Sequence, residues 1–292
     1  MDLVLEAYQY RVVVSPRFGA SLLAAEWLGG GAPLPILEPL RDPASGFTAG
    51  CFLMAPFVNR IADGRFHVDG APFAIPLNRP EQSMAIHGFS RDRRWQVLEA
   101  DTAHAVLIDR VESEAHPWRY TARFEVALAP DGIMLSLALH NDGEWHFPFG
   151  MGLHPFFPRE DGDKVTFTAE GFHASDDRGL PTGPRQTISP ARQSHDLAEV
   201  QGLDRCFLNA HGSVSVEKPA SNVKMDLRAR GAFRHLHLFV PEQRPVFCLE
   251  PVTHLPDAIN RPSLGADAQM TILAPAESLS GHLQLSITPF HK

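Results

Sequence analysis

Along much of the chain, apolar and polar residues alternate with a period of two, the spacing of strands that bury one face. The stretch RFHVDGAPFAIPL sets Phe66 and Val68 before Asp69-Gly70, and Phe73, Ile75 and Leu77 after it. RFEVALAPDGIMLSLALH repeats the arrangement: Phe124, Val126 and Leu128 lead into Asp131-Gly132, then Ile133, Leu135, Leu137 and Leu139 follow. Asp-Gly between alternating apolar runs predicts two hairpins, because both turn positions take φ > 0. Shorter alternating runs at 165–169, 214–217, 223–227, 236–240 and 283–287 predict further strands. The best helix candidate, Ser21–Leu28, is interrupted by Gly29-Gly30-Gly31 and reads equally well as a strand. The segment Gly171–Glu199 is polar, punctuated by proline and glycine and weakly periodic, so it reads as a long surface excursion between strands, of a length that can also serve as a lid. Prolines and glycines (25 and 22) are spread throughout and mark no linker, so the pattern predicts one all-β domain over 1–292, a large antiparallel β-sandwich.

Composition narrows the partners. Hydrophobic residues at 44% and charged residues at 21% are enough to build a core and too apolar for disorder. A net charge of −8, with no dense basic stripe, argues against nucleic acid as a partner. No apolar run approaches the ~20 residues of a membrane helix, so no membrane partner is expected. MDLVLEAYQYRVVV has no basic segment leading an apolar core, and three sparse cysteines (Cys51, Cys206, Cys248) suit a reducing compartment. The expectation is a soluble, cytoplasmic protein, monomeric or homodimeric.

Two segments carry the candidate chemistry. Gly-Leu-His-Pro-Phe-Phe at 152–157 and Cys-Leu-Glu-Pro at 248–251 each place one proton-handling side chain, His154 or Glu250, directly before a proline within an apolar run. Proline biases the residue before it toward extended backbone, and a histidine and a carboxylate are natural complements in acid/base work near neutral pH. Three further polar residues lie in similar surroundings: Arg60 in LMAPFVNRIADG, His87 in MAIHGF and Asp204 in GLDRCF. Any one buried charge is more often a satisfied structural group than a functional one. For Glu250 the structural alternative is a salt bridge to Arg60, and for Asp204 local pairing with Arg205. Five such residues together fit one cleft for a polar small molecule. Arg91, Arg93 and Arg94, in HGFSRDRRW, read as a solvated loop or as a binding site for a phosphate or carboxylate. His235 and His237 share a strand face, but with no third ligand defined they read as structural, and no metal is expected. Nucleophile-elbow, zinc-protease and phosphate-loop motifs are missing.

In their order along the chain, VNRIADGRFHVDG, AIHGFSRDRRW, GLHPFF, LDRCF, CLEPVTHLPDAIN and LAPAESLSGHLQLSI resemble the aldose 1-epimerase (galactose mutarotase) family over roughly residues 50 to 290. The resemblance implies a large antiparallel β-sandwich with an open cleft, a small-molecule sugar substrate and no cofactor. It implies that His154 is the general acid at the sugar ring oxygen and Glu250 the general base at the anomeric hydroxyl, with Arg60, His87 and Asp204 binding the sugar. HGFSRDRRW is similar to the corresponding segment of the hexose-6-phosphate 1-epimerase branch, whereas VNRIADG is similar to the free-sugar branch. A carbohydrate-binding protein without catalysis on the same fold is the alternative from another class.

Overall fold

The Asp69-Gly70 turn adopts φ of +50° and +80°, joining the antiparallel strands Arg65–Val68 and Ala71–Ala74 as expected. In the second hairpin, strands Tyr120–Ala129 and Gly132–Asn141 pair Ala129 with Gly132. The two turn residues are therefore Pro130 and Asp131, not Asp131 and Gly132. Proline, fixed near φ −65° and without an N–H for the ladder, suits the first central position of a turn with negative φ, so the turn moves back by one residue to take in Pro130, and Gly132 takes φ +142° as the next strand begins.

The computed structural model describes residues 1–189 and 191–290. They form an 11-stranded and a 9-stranded antiparallel sheet plus three small two-stranded ribbons, with short 3₁₀ turns and no α-helix. Ser21–Trp27 is a strand, its Leu22, Ala25 and Trp27 buried in the core. The 171–199 segment departs from its reading as a plain excursion: it contains strands Gly171–Ser175, Pro181–Thr187 and Arg192–Asp196. Pro181–Thr187 and Arg192–Asp196 end the two large sheets. Edge strands with mostly solvated side chains need no alternating apolar pattern, which is why their sequence looks aperiodic.

The two large sheets pack face to face. Leu53, Leu153, Phe247, Leu249 and Leu238 from the larger sheet meet Phe124, Leu135, Leu137 and Leu283 from the smaller in one buried core. Because side chains alternate across a strand, the intervening residues of the larger sheet point to its other face. There Phe52, Met54, Phe156, Cys206 and Cys248 form a second apolar cluster, closed over by Val58, Leu255, Leu264 and Ala268 from the connecting segments. The candidate site is built on that outer face.

Candidate functional site

Five adjacent strands of the larger sheet, Cys51–Met54, Gly152–Pro158, Val246–Val252, His235–Phe239 and Asp204–Leu208, carry the site. Their register aligns Phe52 with His154, Glu250 with His237, and His237 with Cys206. Between the His154 and Glu250 strands, Cα pairing runs from Gly152↔Val252 and resumes at Phe156↔Cys248. Pro155 and Pro251 lie within or beside this interval, and neither has an N–H to give to a ladder. The prolines thus do more than hold the backbone extended: they loosen the pairing where His154 and Glu250 face each other.

His154 Nε2 lies 3.3 Å from Glu250 Oε1, and both side chains are buried. The His154 ring is stacked between Phe52 (centroids 4.4 Å apart) and Phe156 (4.6 Å), with His87 edge-on at 5.3 Å. Burial lowers His154 to about 3, and the positive charges of His237 and Arg91 add to the effect. Burial raises Glu250 to about 7, against the pull of His237 and Arg60 and with a push from Asp204. At neutral pH the contact therefore joins a neutral imidazole to a half-ionised carboxyl, and it is no simple ion pair.

Asp204 sits at the mouth of the cleft. Its Oδ1 accepts a 2.6 Å hydrogen bond from His237 Nε2, and its Oδ2 lies 3.7 Å from Arg60 Nη2. Burial would raise Asp204, but the His237 hydrogen bond and the charges of His237 and Arg60 outweigh it and hold the carboxyl at about 2. Arg60 thus pairs with Asp204 rather than with Glu250, and Asp204 does not pair with Arg205, whose guanidinium lies over Phe172 instead. Arg60 Nη1 also donates to Asn59 Oδ1 at 2.9 Å. The Arg60 strand pairs with Met84–Ile86, which brings His87 in at its end with φ +66°. His87 is held well below the ordinary histidine range by burial and by the charges of His154, Arg91 and Arg60. All five residues singled out from the sequence therefore meet in one cluster.

Of the arginine run, Arg94 is exposed and Arg93 partly so, as a solvated loop predicts, but Arg91 is not. Arg91 is buried, with its guanidinium 5.2 Å from the Phe52 ring centroid and 5.7 Å from that of Phe47. Arg93 Nε binds Asp109 at 2.8 Å, and its Nη2 donates to the Arg110 carbonyl.

Arg60 and Asp204, at one side of the cluster, also wall a cleft of about 760 Å³ together with Glu81, Asp176, Asp177 and Arg178. The turn between strands Gly171–Ser175 and Pro181–Thr187 closes one side. Gly179, at φ +72°, lies so close to Arg60 that a Cβ there would stand 2.9 Å from its Cζ. Arg178 Nη2 ties this turn to Asp63 at 3.0 Å. Four buried polar atoms of the cluster have no hydrogen-bond partner among the described residues: Arg60 Nε, His87 Nδ1, His154 Nδ1 and Glu250 Oε2. Such atoms are costly in a folded protein, and their concentration in one place marks a site rather than a core.

A family model for aldose 1-epimerase matches residues 1–286. The chain belongs to the aldose 1-epimerase family. YphB of Escherichia coli K12, an uncharacterized protein, is 24% identical over 262 residues, covering 87% of this chain and 89% of YphB. The crystal structure of a candidate aldose 1-epimerase from Escherichia coli K12 superposes with a TM-score of 0.86 at 23% identity over 99% of both chains. A galactose mutarotase-like protein from Clostridium acetobutylicum gives 0.84 at 19% identity over 99% of this chain and 95% of that one. At these identities the structures speak for the fold alone.

In this aldose 1-epimerase family member, three residues of the cluster escaped the sequence reading. His254 accepts from the Val58 N–H at Nε2 (3.1 Å) and donates from Nδ1 to the Leu255 carbonyl (2.7 Å), a neutral tautomer consistent with burial lowering it to about 4. Asp257 accepts from the Ala62 N–H (3.0 Å) and from Arg261 Nε (2.9 Å), pinning the Arg60 strand to the THLPDAIN segment. His237 is the third. Of the two histidines read as structural, His235 is held by the backbone, its Nδ1 accepting from the Asn209 N–H and its Nε2 donating to the Asp267 carbonyl, whereas His237 is bonded to Asp204 and paired in register with Glu250. His154, Cys248 and Glu250 place an imidazole nitrogen, a thiol sulfur and a carboxylate oxygen within 4.8 Å of one another. Holding a divalent ion there would require ionising Cys248, whose thiol burial pushes well above the ordinary range. The cluster's chemistry is better suited to moving protons.

Proposed function

We propose that this chain interconverts the α and β anomers of an unphosphorylated aldose by ring opening and re-closure. The observation that carries the proposal is the His154–Glu250 pair, 3.3 Å apart on one sheet face, in the same cluster as Arg60 and Asp204, which wall a polar cleft. The ring oxygen and the anomeric oxygen of a cyclic aldose share one carbon, so the groups serving them must themselves be neighbours. In the form of the pair whose shared proton sits on the imidazole, His154 gives that proton to the ring oxygen while the Glu250 carboxylate removes the proton from the anomeric hydroxyl, and the ring bond breaks to leave an open-chain aldehyde. After rotation of the aldehyde, Glu250 returns a proton to the carbonyl oxygen, the ring hydroxyl attacks the other face, and His154 recovers its proton. One proton passes from His154 to Glu250 on opening and back on closure, and no electrons or groups leave the sugar. Arg60, His87 and Asp204 supply hydrogen-bonding groups around the sugar hydroxyls.

The charge arrangement favours an unphosphorylated substrate. Arg93 is occupied by Asp109, Arg91 lies over two phenyl rings, and Arg178 is tied to Asp63. A phosphate entering the cleft would meet the carboxylates of Glu81, Asp176, Asp177 and Asp204 against the guanidiniums of Arg60, Arg178 and Arg205, an excess of negative charge. Comparing kcat/KM on glucose and galactose with that on glucose 6-phosphate tests this: the free sugars are expected to win, and a strong preference for the phosphate ester overturns it.

A pH dependence follows. Turnover needs one proton on the pair, whichever member holds it at rest. The free pair loses that last proton as the pH rises through about 7, the value to which burial raises Glu250. Above the uncatalysed background, kcat/KM should be level near and just below neutrality and then fall about tenfold per pH unit on the alkaline side. A profile still rising through pH 8 would contradict the assignment.

Gly179→Ala tests the cleft wall. The added Cβ meets the Arg60 guanidinium at a backbone φ of +72°, a conformation that costs a non-glycine residue about 1–2 kcal/mol. The expected outcome is a raised KM with a smaller change in kcat, measured alongside the thermal midpoint.

A further inference from the structure

The proton chemistry proposed above makes no use of His237, yet this side chain is the best-connected member of the cluster. It lies on the central strand His235–Phe239, opposite Glu250 on one side and Cys206 on the other. It is 4% exposed, and its Nε2 is 2.6 Å from Asp204 Oδ1. The groups that face or bias it are Glu250 and Cys248 from one neighbouring strand, Asp204 and Cys206 from the other, His154 beyond Glu250, His173 from the strand beyond Asp204–Leu208, and His87 and Arg60 from the covering segments. The two carboxylates among them are both closely placed, whereas Arg60 is already engaged by Asp204.

We propose that His237 is a positioning residue: carrying a positive charge clamped by Asp204, it holds the Glu250 carboxyl ready to exchange a proton with the anomeric hydroxyl, without itself touching the sugar. The inference rests on the epimerase reading of the site. Its physical basis is that a carboxyl as deeply buried as Glu250 resists ionisation far above neutrality unless a cation stands beside it. His237 is that cation. Burial alone would drive the imidazole neutral, but Glu250, Asp204 and the hydrogen bond to Asp204 raise it well above the ordinary histidine range. Asp204 pushes Glu250 the opposite way, but less strongly than His237 pulls it. Its larger effect is to keep the His237 ring protonated. The arrangement would make Glu250 a base that works near neutral pH.

Two titrations by NMR test this without any sugar. In the wild-type protein, the His237 ring nitrogens should report imidazolium through pH 7; a neutral ring at that pH overturns the proposal, and this measurement needs no variant. With ¹³C-labelled glutamate, and Glu250 assigned by its disappearance in Glu250→Gln, the Glu250 carboxyl midpoint should rise by about one unit or more in His237→Gln. Gln keeps a donor for Asp204 but removes the charge. An unchanged midpoint in the folded variant overturns the proposal, whereas a merely structural His237 would lower the thermal midpoint and leave the titration in place. The alkaline limb of kcat/KM should move up with the carboxyl midpoint. Failure of the epimerase reading would show separately, as wild-type protein that accelerates anomer exchange on no sugar.

Discussion

Replacing Glu250 with glutamine lowers kcat for anomer interconversion by about 10²–10⁴ while sugar affinity changes little, because a general base contributes on that order and the amide keeps the carboxyl's size. Glutamine cannot accept and return a proton, yet it still fills the space between His154 and His237. The split between kcat and KM decides the role: a residue that only bound sugar would raise KM and leave kcat nearly intact. Steady-state kinetics on folded Glu250→Gln, with the fold checked by circular dichroism, gives the answer. Turnover near the wild-type rate removes Glu250 from the chemistry.

His154→Asn should lower kcat by a comparable factor. Asparagine keeps a hydrogen-bonding group but cannot give a proton to the ring oxygen. It also loses the ring held between Phe52 and Phe156, so a stability loss on the order of 1–3 kcal/mol is expected alongside. Denaturant titration separates that loss from the catalytic one. The informative comparison is the double variant. If His154 and Glu250 pass a single proton back and forth, removing both costs little more than removing either, since residues that act as one unit are strongly non-additive. Losses that multiply would mean that the two residues act independently.

Much of this was legible in the sequence because the site residues interrupt patterns that otherwise hold. His154 and Glu250 fall where an apolar run should continue, each beside a proline that cannot contribute to the ladder. The Asp69-Gly70 turn was readable for a local reason, and Pro130 displaced its counterpart by one residue through an equally local constraint on φ. What escaped depends on contacts distant in sequence. His237 differs from the structural His235 only in what the neighbouring strands bring to it: Asp204 and Glu250 against Asn209 and Asp267. The burial of Arg91 and the edge strands within 171–199 likewise follow from packing rather than from periodicity.

The most direct test of the central claim is anomer exchange followed by NMR. The α-anomer resonance of glucose, galactose and glucose 6-phosphate is saturated in turn, and the β signal is followed with and without catalytic amounts of the protein. The account predicts faster exchange on a free sugar, lost in Glu250→Gln. Folded protein that accelerates exchange on none of the three, while still binding sugar in the cleft, would contradict it and leave a binding protein on an epimerase-family fold.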